Sequence, residues 1–247
     1  MPGDIVACHG TDWSSRVIRW VTAAPRGPCG LWLGPSHVAI ISASDRGLLW
    51  VESTTQCLHP CEIQGRMVSG CQAHDPELRL QDYLAMGGYV DLYRLDPIHR
   101  LDGNEQLLLR DLLFRRLLAK GVEYDLKGAL LSGTRLLRWL GLLPRANLQT
   151  LFCSELIAAV LMRLNRMNHA NPSGYSPARL LRTLVALGKY ERIVRWPAAP
   201  DMDRGSDDYL AALPGSCPAA VPHVAVGSAA GSQPASPDAS GSELHLL

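Results

Sequence analysis

Residues 36–54 read SHVAIISASDRGLLWVEST. Two apolar runs rich in strand-forming residues flank a polar stretch that ends in Gly47, and this pattern predicts a β-hairpin. Strand alternation puts His37, Ala39 and Ile41 on one face. An antiparallel return through the turn at Asp45–Gly47 then brings Glu52 beside Ala39, within reach of His37. In the context LLWVES an unpaired carboxylate would be costly to bury, and an imidazole partner relieves that cost.

Working outward, GDIVACHG (3–10) predicts a short buried strand. Ser14 or Ser15 can cap a helix through 14–22, and AAPRGPCGLWLGPS (23–36) is predicted as a Pro/Gly loop. A helix is expected over 76–86, a strand over 88–95, and a helix from about Asn104 to Ala119 that is capped by Asp102 and ends at Gly121. LFCSELIAAVLMRLNRM (151–167) carries the clearest helical pattern. A further helix is expected over 176–187 and a closing strand over 189–196. Mixed strands and helices with short joins point to an α+β fold, an antiparallel sheet packed against helices.

The chain has 247 residues, with 24 Lys+Arg against 23 Asp+Glu. The near-zero net charge argues against a dedicated nucleic-acid binder. The start MPGDIVACHGTDW has no basic region followed by an apolar stretch, so no secretory signal is expected, and no uncharged apolar run approaches a membrane span. Seven scattered cysteines do not resemble a small disulfide framework. A cytoplasmic, reducing setting is the expectation. Residues 197–247, rich in Ala, Gly, Pro and Ser, are expected to be a disordered tail, which leaves residues 1–196 as one domain.

Cys153 follows the polar run RANLQT, so Thr150 or Asn147 could cap the helix and place the thiol in its first turn. Unpaired N–H groups and the helix dipole favour a thiolate there. Cys153 also falls in an apolar stripe with Leu156, Ile157, Val160 and Leu164, which is equally the pattern of a core residue. His37 on a rigid strand, oriented by Glu52, would be the base that such a nucleophile needs.

The ordered set GDIVACHG, SHVAII, WVEST, KGVEYDLKGAL and FCSELIAAV resembles the YiiX-like branch of the NlpC superfamily, the circularly permuted papain-fold cysteine amidases. The histidine strand precedes the cysteine helix, which is the permuted order. The resemblance spans roughly residues 3–165 and implies a permuted papain-like fold with Cys153 as nucleophile, His37 as base and Glu52 as orienting acid. It also implies that Tyr124 lines the active site beside the oxyanion. The activity implied is hydrolysis of an amide bond, with a peptidoglycan-type peptide as substrate, no cofactor and no obligate protein partner. Acyl-lipid hydrolysis or acyl transfer of the lecithin:retinol acyltransferase-like type is the alternative within the same chemistry.

Two further features compete. Cys57, His59, Cys61, Cys71 and His74 fall within eighteen residues and are candidate zinc ligands, although their spacing matches no recognised finger. With zinc there, the chain would be a non-catalytic binding module; without it, the segment is an insertion lining the cleft, and His59 or His74 competes with Glu52 for the third position. ALLSGTRLLRWLGLL (129–143) sets Arg135 and Arg138 among leucines and Trp139, a pattern that suits either a core helix or peripheral membrane contact.

Overall fold

The computed structural model describes residues 1–26, 30–55, 58–121 and 152–197. Tyr124, Cys57, the 129–143 stretch and all of the expected tail after Pro197 lie outside the described residues.

The strands and helices follow in chain order as β1 (Ile5–His9), α1 (Trp13–Val21), β2 (Ala24–Arg26), β3 (Gly30–Trp32), β4 (His37–Ser44), β5 (Gly47–Thr54), β6 (Gly70–His74), α2 (Pro76–Ala85), β7 (Tyr89–Leu95), α3 (Gly103–Arg110), α4 (Cys153–Arg163), α5 (Pro177–Ala186) and β8 (Tyr190–Trp196). Six strands form one antiparallel sheet in the order β6-β5-β4-β1-β7-β8, and the fold is α+β. The β4–β5 hairpin turns between Ser44 and Gly47, with Ile40 opposite Val51 and Ile41 opposite Trp50. That is the register expected from the sequence.

Alternation along each strand divides the core into two layers. Ile5, Ala7, Val38, Ile40 and Val51 face the layer that holds Leu109, Leu156, Leu161 and Leu181 from the helices. Val6, Cys8, Ala39, Ile41 and Trp50 face the other side, where Tyr83 of α2 packs. Helix α4 lies against β4 and β5, whereas α2 lies against β5 and β7.

Three sequence expectations are corrected. The segment expected to be a loop at 23–36 carries a small hairpin, with Ala24 opposite Trp32. The segment read as an insertion at 57–74 ends in β6, an edge strand that pairs Glu52 with Gln72; the alternation of Cys71 and Ala73 with Gln72 and His74 is too short, and its apolar residues too small, to mark a strand. The helix expected from Asn104 to Ala119 is α-helical only through Arg110 and continues as π-helical turns over Asp111–Leu118. The wider turn explains the inward face: Leu113 and Leu118, five residues apart, are both buried.

Candidate active site

Three elements bring His37, Glu52 and Cys153 together. His37 opens β4 opposite Cys8 of β1. Glu52, two residues beyond Trp50 on β5, is fully buried. The His37 Nε2 lies 2.8 Å from Glu52 Oε2, and the Trp50 indole N–H donates to the same oxygen at 3.0 Å. The other carboxylate oxygen, Oε1, accepts from Arg79 Nε of α2 at 2.7 Å. Arg79 is itself buried, donates to Asp82 at 3.2 Å and lies over the Tyr83 ring.

Each oxygen of Glu52 thus has assigned donors, and its charge is held by a buried guanidinium. Burial would raise the Glu52 pKa, but Arg79 and then His37 outweigh it and hold the group at about 2. The bond from Nε2 to Glu52 leaves Nδ1 of His37 as the nitrogen that faces away from the carboxylate. His37 also shares a hydrogen bond with the Cys153 side chain. Burial opposes charge on the ring, but the interaction with Cys153 and then with Glu52 prevails and lifts the His37 pKa to about 10. The imidazole is held as a cation between a carboxylate and a sulfur.

Cys153 is buried and is the first residue of α4. The N-cap is Phe152, with extended backbone and no side-chain capping bond. This replaces the expected caps Thr150 and Asn147, which lie outside the described residues; the thiol stands at the helix's first position, within the first turn as expected. The positive end of the helix dipole falls on this residue. Just beyond it, Ser154 Oγ donates to the Tyr175 carbonyl at 2.6 Å, and Ser173 donates to the buried Glu155. These bonds fix the start of α4 to the 172–175 turn.

The structure also separates the two thiols near His37. Cys8 is buried and shares a hydrogen bond with Tyr83; burial, reinforced by the negative charge of Glu52, pushes its thiol well above the ordinary range. Cys8 therefore stays protonated, and Cys153 is the thiol that interacts with the His37 ring.

The candidate zinc ligands do not converge among the described residues. Cys61 and Cys71 belong to the helix-side core, and Cys61 Sγ accepts from the Ala73 N–H. His74 bonds Gln72 at 3.1 Å and His59 bonds Asp82 at 3.1 Å, both beside Arg79. Among the described residues no group of three or more His, Cys, Asp or Glu could hold a metal ion. Nor is any described helix long and apolar enough to cross a membrane. His59 and His74 are neighbours of the Glu52–Arg79 pair, not substitutes for Glu52.

Arg79, Trp50 and Tyr83 are the site residues that sequence reasoning missed. Arg79 and Tyr83 stand four residues apart on α2, a spacing that puts both on one helical face. That spacing is the only trace of their role, and the face is indistinguishable from a solvated one until the sheet is placed under it.

No family model and no curated protein matches the sequence. Among solved structures the chain is similar to the metalloprotein yiiX from Escherichia coli O157:H7, with 12% identity, a TM-score of 0.49, and coverage of 78% of this chain and 96% of that one.

Proposed function

We propose that this chain is a thiol-dependent hydrolase in which Cys153 is the nucleophile, His37 the general base and Glu52 the residue that orients the base. The observation that carries the reading is the placement of one buried imidazole between the Cys153 thiol and the doubly anchored Glu52 carboxylate. The order in the chain, histidine strand before cysteine helix, fits a permuted papain-like arrangement.

The chemistry is acyl transfer. At rest His37 already holds the proton that Cys153 gives up. The sulfur adds to a carbonyl carbon, and the developing oxyanion lies at the N-terminus of α4, where the first-turn N–H groups have no partner within the helix. His37 returns its proton to the leaving nitrogen as the carbon–nitrogen bond breaks. Water then attacks the thioester, with His37 taking its proton, and frees Cys153. Glu52 stays ionised throughout and holds Nε2, and Arg79 keeps the carboxylate from rotating away. The substrate class we assign is the amide bond of a peptidoglycan-type peptide.

Iodoacetamide alkylation of each cysteine, followed by mass spectrometry against pH, tests this reading. Cys153 should label at about pH 6 much faster than an unactivated thiol, and His37→Ala should slow it at least about tenfold. Protection of Cys153 until the chain unfolds would sink the reading.

A further inference from the structure

Helix α1 is built inside out. It is strongly amphipathic yet on balance not hydrophobic, and none of its residues is buried. Trp13, Val17 and Trp20 follow each other at four and three residues, so they share one face. Trp13 is 80% exposed and Trp20 72%, and Leu33 beside them is 43% exposed. The polar edge is the one that meets the body of the protein. Arg19 Nε donates to the Gly34 carbonyl at 3.2 Å, and Ser15 packs so closely on Gly10 that a Cβ there would collide with its Oγ. An ordinary surface helix does the reverse and turns its apolar stripe to the core.

Within the helix the charges are Arg16 and Arg19, with no acid. The adjacent Asp12 is spent on the cap, where it accepts from the backbone N–H of Ser15. Two tryptophans a helix-length apart, two arginines between them, a large amphipathic contrast and low net hydrophobicity are the marks of a helix that lies in a membrane interface. The cationic, acid-free surface complements anionic headgroups.

We infer that the Trp13–Trp20 face of α1, with Leu33 and Arg16, docks this protein on an anionic lipid bilayer. The docked helix is braced to the catalytic end of the sheet. Arg19 holds the Gly34 carbonyl, Ser36 Oγ bonds the Cys8 carbonyl, and His37 follows directly. The site would then face substrates presented at or near the bilayer. The inference does not depend on the hydrolase reading, since its test reads binding alone.

The experiment is cosedimentation of the full chain with extruded vesicles of phosphatidylcholine, alone or mixed with phosphatidylglycerol. Tryptophan emission and its quenching by brominated lipid are recorded in the same samples. We expect binding to the anionic vesicles, a blue shift and quenching. The double variant Trp13→Ser/Trp20→Ser should weaken binding at least about tenfold. Arg16→Glu should weaken it about fivefold or more on anionic vesicles. Both variants should keep the wild-type urea midpoint, because these side chains are exposed. No binding to anionic vesicles would overturn the inference, as would binding that the double variant retains. A wild-type dimer that the double variant disperses, without vesicle binding, would assign the face to a second copy and equally overturn it.

Discussion

The sheet holds two buried histidine–carboxylate–arginine clusters, and they behave oppositely. In one, His37 lies 2.8 Å from Glu52, which pairs with Arg79 at 2.7 Å. In the other, His9 lies 3.3 Å from Asp91, which pairs with Arg195 at 2.7 Å. The inventories match, yet the His37 pKa rises to about 10 while that of His9 falls below its ordinary value. Two differences decide this. Glu52 gives one oxygen to Arg79 and keeps the other for His37 and Trp50, whereas Arg195 takes both oxygens of Asp91 in a bidentate grip and leaves His9 a shared one. His37 also has Cys153 as a second partner, while the buried Nδ1 of His9 finds no hydrogen bond among the described residues. A buried histidine beside a carboxylate is therefore no base by itself; burial wins unless a second partner wants the proton.

The largest expected effect removes that second partner. Cys153→Ala should abolish turnover, a loss of about a thousandfold or more for a nucleophile acting with its base as a unit. Thermal melting should move little, since the change removes a single sulfur atom and leaves the Cβ in place. A variant that instead unfolds would mark Cys153 as packing and dissolve the contrast between the clusters.

Next comes the carboxylate. Glu52→Gln takes the carboxylate charge away from the buried Arg79, and breaking such a pair costs about 3 kcal/mol. Asp91→Asn should cost less, because Arg195 and Arg192 are partly exposed and can turn to water. Urea denaturation of both variants gives the difference directly. In Glu52→Gln the alkylation of Cys153 at about pH 6 should also slow, while in Asp91→Asn it should not.

The pH dependence separates the two histidines by sign. His37 has a raised pKa in the folded state, so its contribution is complete below about 6.5 and is lost as the pH climbs through about 10. His9 has a lowered one, so its neutral form is favoured; its contribution is present above about 6.5 and is lost as the pH falls below that value. Urea midpoints of wild type, His37→Gln and His9→Gln across this range should show the two slopes vanish one at a time. Slopes of the same sign would mean that both rings titrate alike and that Cys153 does not hold the His37 proton.

Much of the first cluster was legible in the sequence and almost none of the second. The β4–β5 register followed from strand alternation and a short turn, because both are local and a one-residue slip would flip every side chain. Cys153 stood out as the start of a strongly patterned helix. Arg79 was hidden because its partner lies on a strand 27 residues away, joined through a helix that the sequence places but does not orient. The Asp91–Arg195 pair, 104 residues apart, depends on the closing strand landing beside β7. Nothing in KYERIVRW states which edge it will join. Tyr124 belongs to neither account, since it lies outside the described residues.

The smallest effect is the sharpest control on the comparison. His9→Gln removes a ring that stacks on Tyr89 and shares an oxygen of Asp91 with Arg195. Asp91 keeps its bidentate arginine, so no charge is stranded, and the glutamine amide can still reach the carboxylate. The stability change should stay within about 1 kcal/mol, the scale of one neutral hydrogen bond. Cys153 alkylation should change less than about twofold, since His9 exchanges no proton with it. A slowing comparable to that of His37→Ala would mean that the two clusters communicate through β1, where Cys8 faces His37 one residue before His9. The second cluster would then belong to the catalytic apparatus rather than to the frame that holds β1, β7 and β8 in register.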